Sequence, residues 1–179
     1  MDSRSQRILG VDPGTVVTGW GVVEIVGGDL HYLDHGTIGS SASLEQGNRL
    51  KRIYRGLKEV LGRYEPQGMS LEKVFFARNA GSTLKLGQAR GVALLAAAES
   101  GIPVHEYASA EIKLAVVGYG QASKEQVQKM VASLLHLSGP IPVDAADALA
   151  AAICYLHQSA FHARIKGALP AGGQEAARR

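Results

Sequence analysis

The first forty residues alternate between apolar runs and turn residues. Residues 7–12, 18–26 and 30–38 are rich in β-branched and other apolar side chains, as β-strands are. Asp12-Pro13-Gly14-Thr15 has the composition of a tight turn, and Gly27-Gly28-Asp29 that of a hairpin. Short turns between three successive strands predict an antiparallel meander.

Helical spacing dominates after residue 42. A capping-box pair, Ser43 and Gln46, precedes apolar residues at helical spacing, and Pro66 stops this first helix after Tyr64. Ser123 and Gln126 form a second capping-box pair. The pattern predicts further helices over 80–99, 109–118, 123–136 and 143–162, and strands over 71–77 and 102–107.

This element order predicts an α/β domain over residues 7–162. It is satisfied by one mixed five-stranded sheet, with the first three strands antiparallel and helices on both faces. Residues 1–6 are expected to be frayed, and the basic tail 163–179 to be disordered.

The helix predicted over 80–99 is apolar on most sides. Only Lys85, Arg90 and Glu99 are charged, and small residues recur four apart, which lets two backbones approach closely. We expect it to cover the sheet and to meet a second copy of the chain across a twofold axis. The expected interface comprises Leu84, Gly87, Gly91 and Leu94; a purely internal helix is the alternative.

Bulk composition narrows the class of protein. The 179 residues suit one domain, and the net charge of +3 permits a nucleic-acid partner without requiring one. Cys154 is the only cysteine, which excludes an internal disulfide or a paired-thiolate metal site and fits a reducing cytoplasm. Apolar stretches free of charge stay shorter than about 18 residues, so no membrane partner is expected.

Four carboxylates are candidates for one metal site: Asp12, Glu72, Asp144 and Asp147. Residues three apart share a helix face, so Asp144 and Asp147 point together, and strand ends can bring Asp12 and Glu72 beside them. Clustered acids repel one another unless cations hold them, and all-oxygen ligands indicate Mg²⁺ or Mn²⁺.

Each acid also has a plainer interpretation. Asp12 before Pro-Gly is ordinary turn chemistry. Asp144 can cap the last helix, and Asp147 then sits at the third helical position near the positive dipole end. Glu72 is the most informative, because a glutamate opening an apolar central strand is costly to bury without a positive partner.

Basic and aromatic residues complete the candidate site. Lys113 and Lys124 flank a glycine-rich link and could contact phosphates, although solvated surface lysines are the alternative. Phe75 or Phe76 could stack on an unpaired base, with Arg78 nearby as a DNA contact. The helix over 46–64 carries six basic residues near which a DNA backbone could lie, or which simply form a solubilising face.

Six blocks together resemble the RuvC family of bacterial Holliday junction resolvases. They are Ile8 to Thr15, Thr18 to Gly21, Leu71 to Phe75, Leu84 to Gly91, Val116 to Gly120 and Asp144 to Leu149, in a match from about Ile8 to His157. The resemblance implies an RNase H-like fold and a homodimer. It implies Asp12, Glu72, Asp144 and Asp147 as the catalytic metal-binding set, with Phe75 stacking on a base and Lys113 and Lys124 near the scissile phosphate.

The expected activity is paired, symmetric nicking of a four-way DNA junction. Two Mg²⁺ ions, with Mn²⁺ as a substitute, would hydrolyse each phosphodiester to a 5′-phosphate and a 3′-hydroxyl. The family also implies branch-migration partners, RuvA and RuvB, and a cytoplasmic, nucleoid-associated location. Rival interpretations are a non-catalytic junction-binding protein, an ATP-binding domain of the actin and sugar-kinase type, and a related nuclease acting on another nucleic-acid structure.

Overall fold

The computed structural model describes residues 5–73 and 80–168, with side chains through residue 161 and not at residue 80. Its strands are β1 (Gln6–Asp12), β2 (Val17–Val26), β3 (Asp29–Gly39), β4 (Gly68–Glu72) and β5 (Val104–Tyr107). Its helices are α1 (Gln46–Tyr64), α2 (Ala80–Glu99), α3 (Ser109–Val117), α4 (Lys124–Leu134) and α5 (Val143–Ala168).

The five strands form one mixed sheet in the order β3-β2-β1-β4-β5. β1, β2 and β3 pair antiparallel, whereas β4 and β5 run parallel to β1. The predicted antiparallel meander and mixed five-stranded sheet are confirmed. Because β1 and β4 are parallel neighbours, their carboxyl ends lie at the same edge of the sheet.

Helices cover both faces of the sheet, as predicted. On one face α3, α4 and α5 bury Ile8 and Val23, and on the other α1 and α2 bury Leu9, Val11 and Val22. Neighbouring positions of β1 thus belong to opposite cores, as the alternation of a strand requires. None of the helices in residues 5–73 and 80–168 is long and apolar enough to cross a membrane.

The boundaries of β4 and α5 differ most from the sequence prediction. β4 begins at Gly68 and ends at Glu72, so Glu72 closes this strand instead of opening it. The predicted extension over 74–77 lies outside the described residues. α5 continues to Ala168, so residues 163–168 of the expected disordered tail are helical, while 169–179 are outside the description.

The ends of other elements follow local chemistry. Ser43 does not cap α1, because Glu45 is the residue before it and the Ser43 hydroxyl bonds that of Ser41 at 2.7 Å. The predicted capping box of α4 is confirmed, with Ser123 Oγ accepting from the Gln126 backbone at 3.3 Å. Gln6, expected to be frayed, is the first residue of β1 and donates to the Tyr155 hydroxyl at 2.8 Å.

Candidate active site

Close contact between α5 and the sheet positions the two aspartates of that helix. A Cβ added at Gly10 would lie 1.8 Å from the carbonyl oxygen of Ala148, and one at Gly19 only 2.0 Å from that of Asp144. No side chain fits between these backbones, so α5 rests directly on β1 and β2. Since Gly19 pairs with Asp12 across the two strands, the first turn of α5 lies next to Asp12.

A buried hydrogen bond fixes α5 further along the same contact. Ser70 of β4, which pairs with Gly10, donates from its hydroxyl to the carbonyl oxygen of Ala151 at 2.7 Å. Ser70 is fully buried, and an unpaired hydroxyl there would be costly. Asp144 is the second residue of α5, within its first turn, instead of the residue that caps it.

Asp12 and Glu72 come together because they end neighbouring parallel strands. Val11 pairs with Leu71, so the next residue on each strand reaches the same edge of the sheet. Val11 and Leu71 both point into the core under α1 and α2, which turns Asp12 and Glu72 toward the α5 face. A glutamate that opened β4, as predicted, would lie at the opposite end of the strands from Asp12. Because Glu72 instead ends β4, the two acids lie at the same end of the sheet.

The pKa of Asp12 records how the four acids interact. Burial, followed by the charges of Asp147, Asp144 and Glu72, raises the pKa of Asp12 from 3.8 to about 7, and Lys124 opposes this shift. The other three predicted carboxylates thus each lie within electrostatic reach of Asp12. A carboxylate this strongly perturbed, beside a cleft, is a candidate functional group.

Lys124 supplies positive charge at the centre of the site. Its Nζ lies 2.6 Å from Oδ2 of Asp147, and its side chain remains 55% exposed, so it can still approach a ligand from solvent. The hydrogen bond to Asp147 raises the pKa of Lys124, and the charges of Asp12 and Asp144 add to the effect. This lysine balances part of the negative charge of the cluster.

A cleft of about 240 Å³ opens beside these groups. Its polar lining consists of Glu72, Asp147, Lys113, Lys124 and Ser109, and its apolar wall of Ile112, Val127 and Ala150. Asp12 and Asp144 do not line it but interact with it through their charges. The cleft combines acceptors for a cation with two lysines suited to an anion, which is the combination that a phosphodiester and its metal ions require.

Ser109 is a member of the cleft that the sequence reasoning missed. It begins α3, where the carboxylate of Glu111 accepts a hydrogen bond from the Ala108 backbone at 2.6 Å. Ser109 and Lys113 are four residues apart and therefore share a helix face. That spacing from a candidate lysine was the available signal.

The carboxylates have the right chemistry for a hard divalent cation, but they are spaced too widely to hold one as they stand. Within the described residues, no three potential ligands lie close enough together to hold an ion as they stand. Carboxylates whose charges are not neutralised repel one another, and the ion pair with Lys124 keeps the Asp147 carboxylate beside that lysine. The raised pKa of Asp12 nevertheless shows a local excess of negative charge that a cation would relieve.

The remaining predicted residues are distributed differently. Phe75, Phe76 and Arg78 lie outside the described residues. On α2, Leu84 is 66% exposed, and a Cβ at Gly87 or Gly91 would meet nothing within 4 Å. Leu94, by contrast, packs partly buried against the core, and Leu95, which is 51% exposed, continues the outward face of α2.

Comparison with known proteins agrees with this geometry. The family model for crossover junction endodeoxyribonuclease RuvC matches residues 8–155. The chain is 50% identical over 153 residues to the enzyme of that name from Geobacter metallireducens, covering 86% of this chain and 93% of the relative. It is 53% identical over 150 residues to the Photobacterium profundum enzyme, covering 84% and 86%.

Solved structures give the same assignment. A Thermus thermophilus RuvC in complex with a Holliday junction substrate aligns with a TM-score of 0.81 at 36% identity, covering 90% of this chain and 96% of the other. A yeast mitochondrial Holliday junction resolvase, Ydc2, aligns at 0.64 with 10% identity, covering 90% and 84%, and shares the fold alone. The fold is therefore RNase H-like, and the chain belongs to the RuvC family of crossover junction endodeoxyribonucleases.

Proposed function

We propose that this protein resolves four-way DNA junctions by metal-dependent hydrolysis of paired phosphodiesters, in recombination and DNA repair. The products are nicks with a 5′-phosphate and a 3′-hydroxyl. The observation that carries this proposal is the partly buried Asp12, whose pKa is raised by burial and then by three other carboxylates, beside a cleft containing two lysines. Membership of the RuvC family favours this function over a pure junction binder or an ATP-binding domain.

Four carboxylates would hold the metal ions in this account: Asp12, Glu72, Asp144 and Asp147. Their oxygens suit two Mg²⁺ ions per site, with Mn²⁺ as a substitute. When bound, such ions lower the pKa of a water nucleophile and stabilise the departing oxygen. Asp12 contributes most as a ligand in its ionised form, so cation binding and loss of its proton are coupled.

The two lysines act on the phosphate in this proposal. Lys124 balances Asp147 in the free protein and can turn its half-exposed ammonium group to a phosphate oxygen. Lys113 also lines the cleft, one helical turn from Ser109. Both place positive charge where negative charge develops in the transition state, which is the most effective position for it.

DNA contacts and assembly extend the proposal beyond the cleft. Phe75, Phe76 and Arg78 follow Glu72 closely along the chain and are proposed to contact bases or phosphates beside the cut. The outward face of α2, with Leu84, Gly87 and Gly91, is proposed to pair two protomers about a twofold axis. A twofold dimer presents two equal sites to the two equal strands of a junction.

The cellular setting follows from the substrate. Junctions form on chromosomal DNA, so the protein is placed in the bacterial cytoplasm at the nucleoid. RuvA and RuvB, which drive branch migration, are its proposed partners by family membership.

Cleavage of a synthetic mobile four-way junction tests this function. Wild-type protein with Mg²⁺ should nick two opposing strands symmetrically, and Asp12→Asn should bind the junction without cutting it. Equal cutting of plain duplex, or cutting in the presence of a chelator, would contradict the proposal. Glu24→Gln, which alters an acid paired with Arg7 outside the cleft, is the control and should cut normally.

A further inference from the structure

A second polar cavity lies on the outer side of the molecule, between the edge strand β3 and helix α1. Its volume is about 590 Å³, and its lining includes Thr37 and Gly39 of β3 with Lys51, Arg52, Arg55 and Glu59 of α1. We call this cavity the α1 groove. Three cations against one acid make it electropositive.

The basic residues of α1 fall into two groups. The first group has internal partners. Arg49 donates to the carbonyl oxygens of Leu44 and Ala42 at 2.8 and 3.0 Å, and Lys58 donates to the Ser100 hydroxyl at 2.9 Å. The guanidinium of Arg63 lies 5.1 Å from the centroid of the Tyr64 ring. Arg49 and Lys58 thus link α1 to neighbouring segments, whereas Arg63 stacks on the next residue of its own helix.

The second group consists of Lys51, Arg52 and Arg55, all in the α1 groove. All three are exposed, and no ion pair with another residue in the described part of the chain neutralises them. Lys51 and Arg55 are four residues apart, so they share a helix face about 6 Å apart along the axis. That separation is comparable with the spacing of neighbouring phosphates on one DNA strand. If these cations only kept the helix soluble, nothing would favour placing all three unpaired ones in the same groove.

The other wall of the groove also suits an anion. Among the strands that the structure describes, β3 pairs only with β2, so the backbone N–H groups on its outer side have no strand partner there. Thr37 adds an exposed hydroxyl. Backbone N–H groups, hydroxyls and arginines are the usual contacts of proteins with DNA phosphates.

The α1 groove lies at the same end of the strands as the acidic cluster but beside the opposite face of the sheet, since α1 covers one face and Asp12 is turned toward α5 on the other. Asp12 pairs with Gly19, and Gly19 pairs with Thr37, so the three residues form one row across β1, β2 and β3. Two strand spacings separate Thr37 from Asp12, or about 10 Å. A duplex with one phosphate at the acidic cluster must pass around the end of the sheet to reach the groove, so the two contacts are at least about three base pairs apart at about 3.4 Å per base pair.

We infer that the α1 groove binds the phosphate backbone of a junction arm, a few base pairs from the cut. This inference rests on the proposed function, since it assigns a second contact to the same substrate. The groove contributes affinity and orients the arm, and it takes no part in hydrolysis. Its contacts reach only phosphates, so they add no sequence preference.

Equilibrium binding of a four-way junction in EDTA tests the inference. The groove variant is Lys51→Gln/Arg52→Gln/Arg55→Gln, and the matched control is Arg49→Gln/Lys58→Gln/Arg63→Gln, which removes the same charge from the same helix. We expect at least a tenfold weaker affinity for the groove variant and a slope of log K against log salt smaller by about 2 to 3. The control should stay within about threefold of wild type with the wild-type slope.

Cleavage at saturating protein separates this inference from the proposed function. The groove variant should cut bound junctions with Mg²⁺ within about threefold of the wild-type rate, because its cations lie away from the acidic cluster. If wild type binds and cuts but the groove variant binds as the control does, the inference is overturned and the proposed function stands. If wild type binds no junction, both are overturned.

Site-specific crosslinking gives an independent test. The native Cys154 is fully buried, so a cysteine introduced by Arg52→Cys can be labelled selectively with a photoreactive group. We expect crosslinks to one arm at least about three base pairs from the cut. Arg63→Cys, on the same helix outside the groove, should give only background, and equal crosslinking from both positions would overturn the inference.

Discussion

Asp12 couples the stability of the fold to pH and to cations. Its pKa is about 7 in the folded protein against 3.8 for an ordinary aspartate, so the unfolded chain loses this proton first as pH rises. Stability from this group is complete below pH 3.8 and declines until about pH 7, by a total on the order of 4 kcal/mol. Without metal, Asp12→Asn should therefore melt higher than wild type at pH 8 and equally at pH 4, as measured by thermal denaturation in EDTA.

Two comparisons make this prediction specific. Asp29→Asn removes the same charge at the exposed β2–β3 hairpin and should leave the pH dependence unchanged. Mg²⁺ should raise the melting temperature of wild type at pH 8 and have little effect on Asp12→Asn. A wild-type protein that grows more stable from pH 5 to pH 8 in EDTA, relative to Asp12→Asn, would contradict the raised pKa of Asp12.

Lys124 affects the same titration in the opposite direction. Its charge lowers the pKa of Asp12, so Lys124→Gln should raise that pKa further and move the pH profile of Mg²⁺-dependent cleavage toward alkaline pH. The rate should also fall about 100-fold, as expected for loss of one positioned charge. Single-turnover cleavage between pH 6 and pH 9 measures both effects, with Lys129→Gln on the same helix as control. A slower rate with an unmoved profile would show that Lys124 acts on the phosphate alone.

At the scale of elements, the contact between α5 and the sheet determines the site. Gly10→Ala would place a methyl group 1.8 Å from the carbonyl oxygen of Ala148, so α5 must move or the fold must weaken by about 3 kcal/mol or more. Gly62→Ala makes the same change in α1, where a Cβ meets nothing within 4 Å, and should stabilise by about 0.5 to 1 kcal/mol. Urea denaturation of the pair measures both, and equal midpoints would contradict the close packing of α5.

This contact also marks the limit of what the sequence predicts. Hairpin turns, helical spacing and the α4 capping box are local signals, and they predicted most elements correctly. The start of β4 was predicted too late in the chain, because Met69 and Ser70 come soon after a proline and show no alternation of apolar and polar residues. Such a lack of alternation is usual for a buried central strand. In the sequence, Gly10, Gly19 and Gly21 look like weak strand residues. In the structure they make room for α5, whose backbone lies against Gly10 and Gly19 and one of whose side chains fills the space beside Gly21. The acids could be predicted from spacing, whereas Ser109 had only its four-residue spacing from Lys113 as a signal, and the packing of α3 was needed to place it in the cleft.

The whole molecule should act as a pair of protomers joined through α2. Leu95 is exposed on its outward face, so Leu95→Glu should yield a monomer in sedimentation equilibrium, because a dimer would bury the new charge. Leu114→Glu, at a comparably exposed leucine of α3, should remain dimeric. On a cruciform plasmid the Leu95→Glu protein should give singly nicked circles, and wild type should give linear product from paired cuts. A Leu95→Glu protein that stays dimeric would place the interface elsewhere.

The most direct test is anomalous diffraction from crystals soaked in Mn²⁺. The acidic cluster exists to hold divalent cations if this account is right. Two manganese peaks should then appear beside Asp12, one on the side of Glu72 and one on the side of Asp144 and Asp147, and both should be absent from Asp12→Asn crystals. Manganese bound away from these four carboxylates, or a cluster that stays without metal at saturating Mn²⁺ and pH 8, would contradict it.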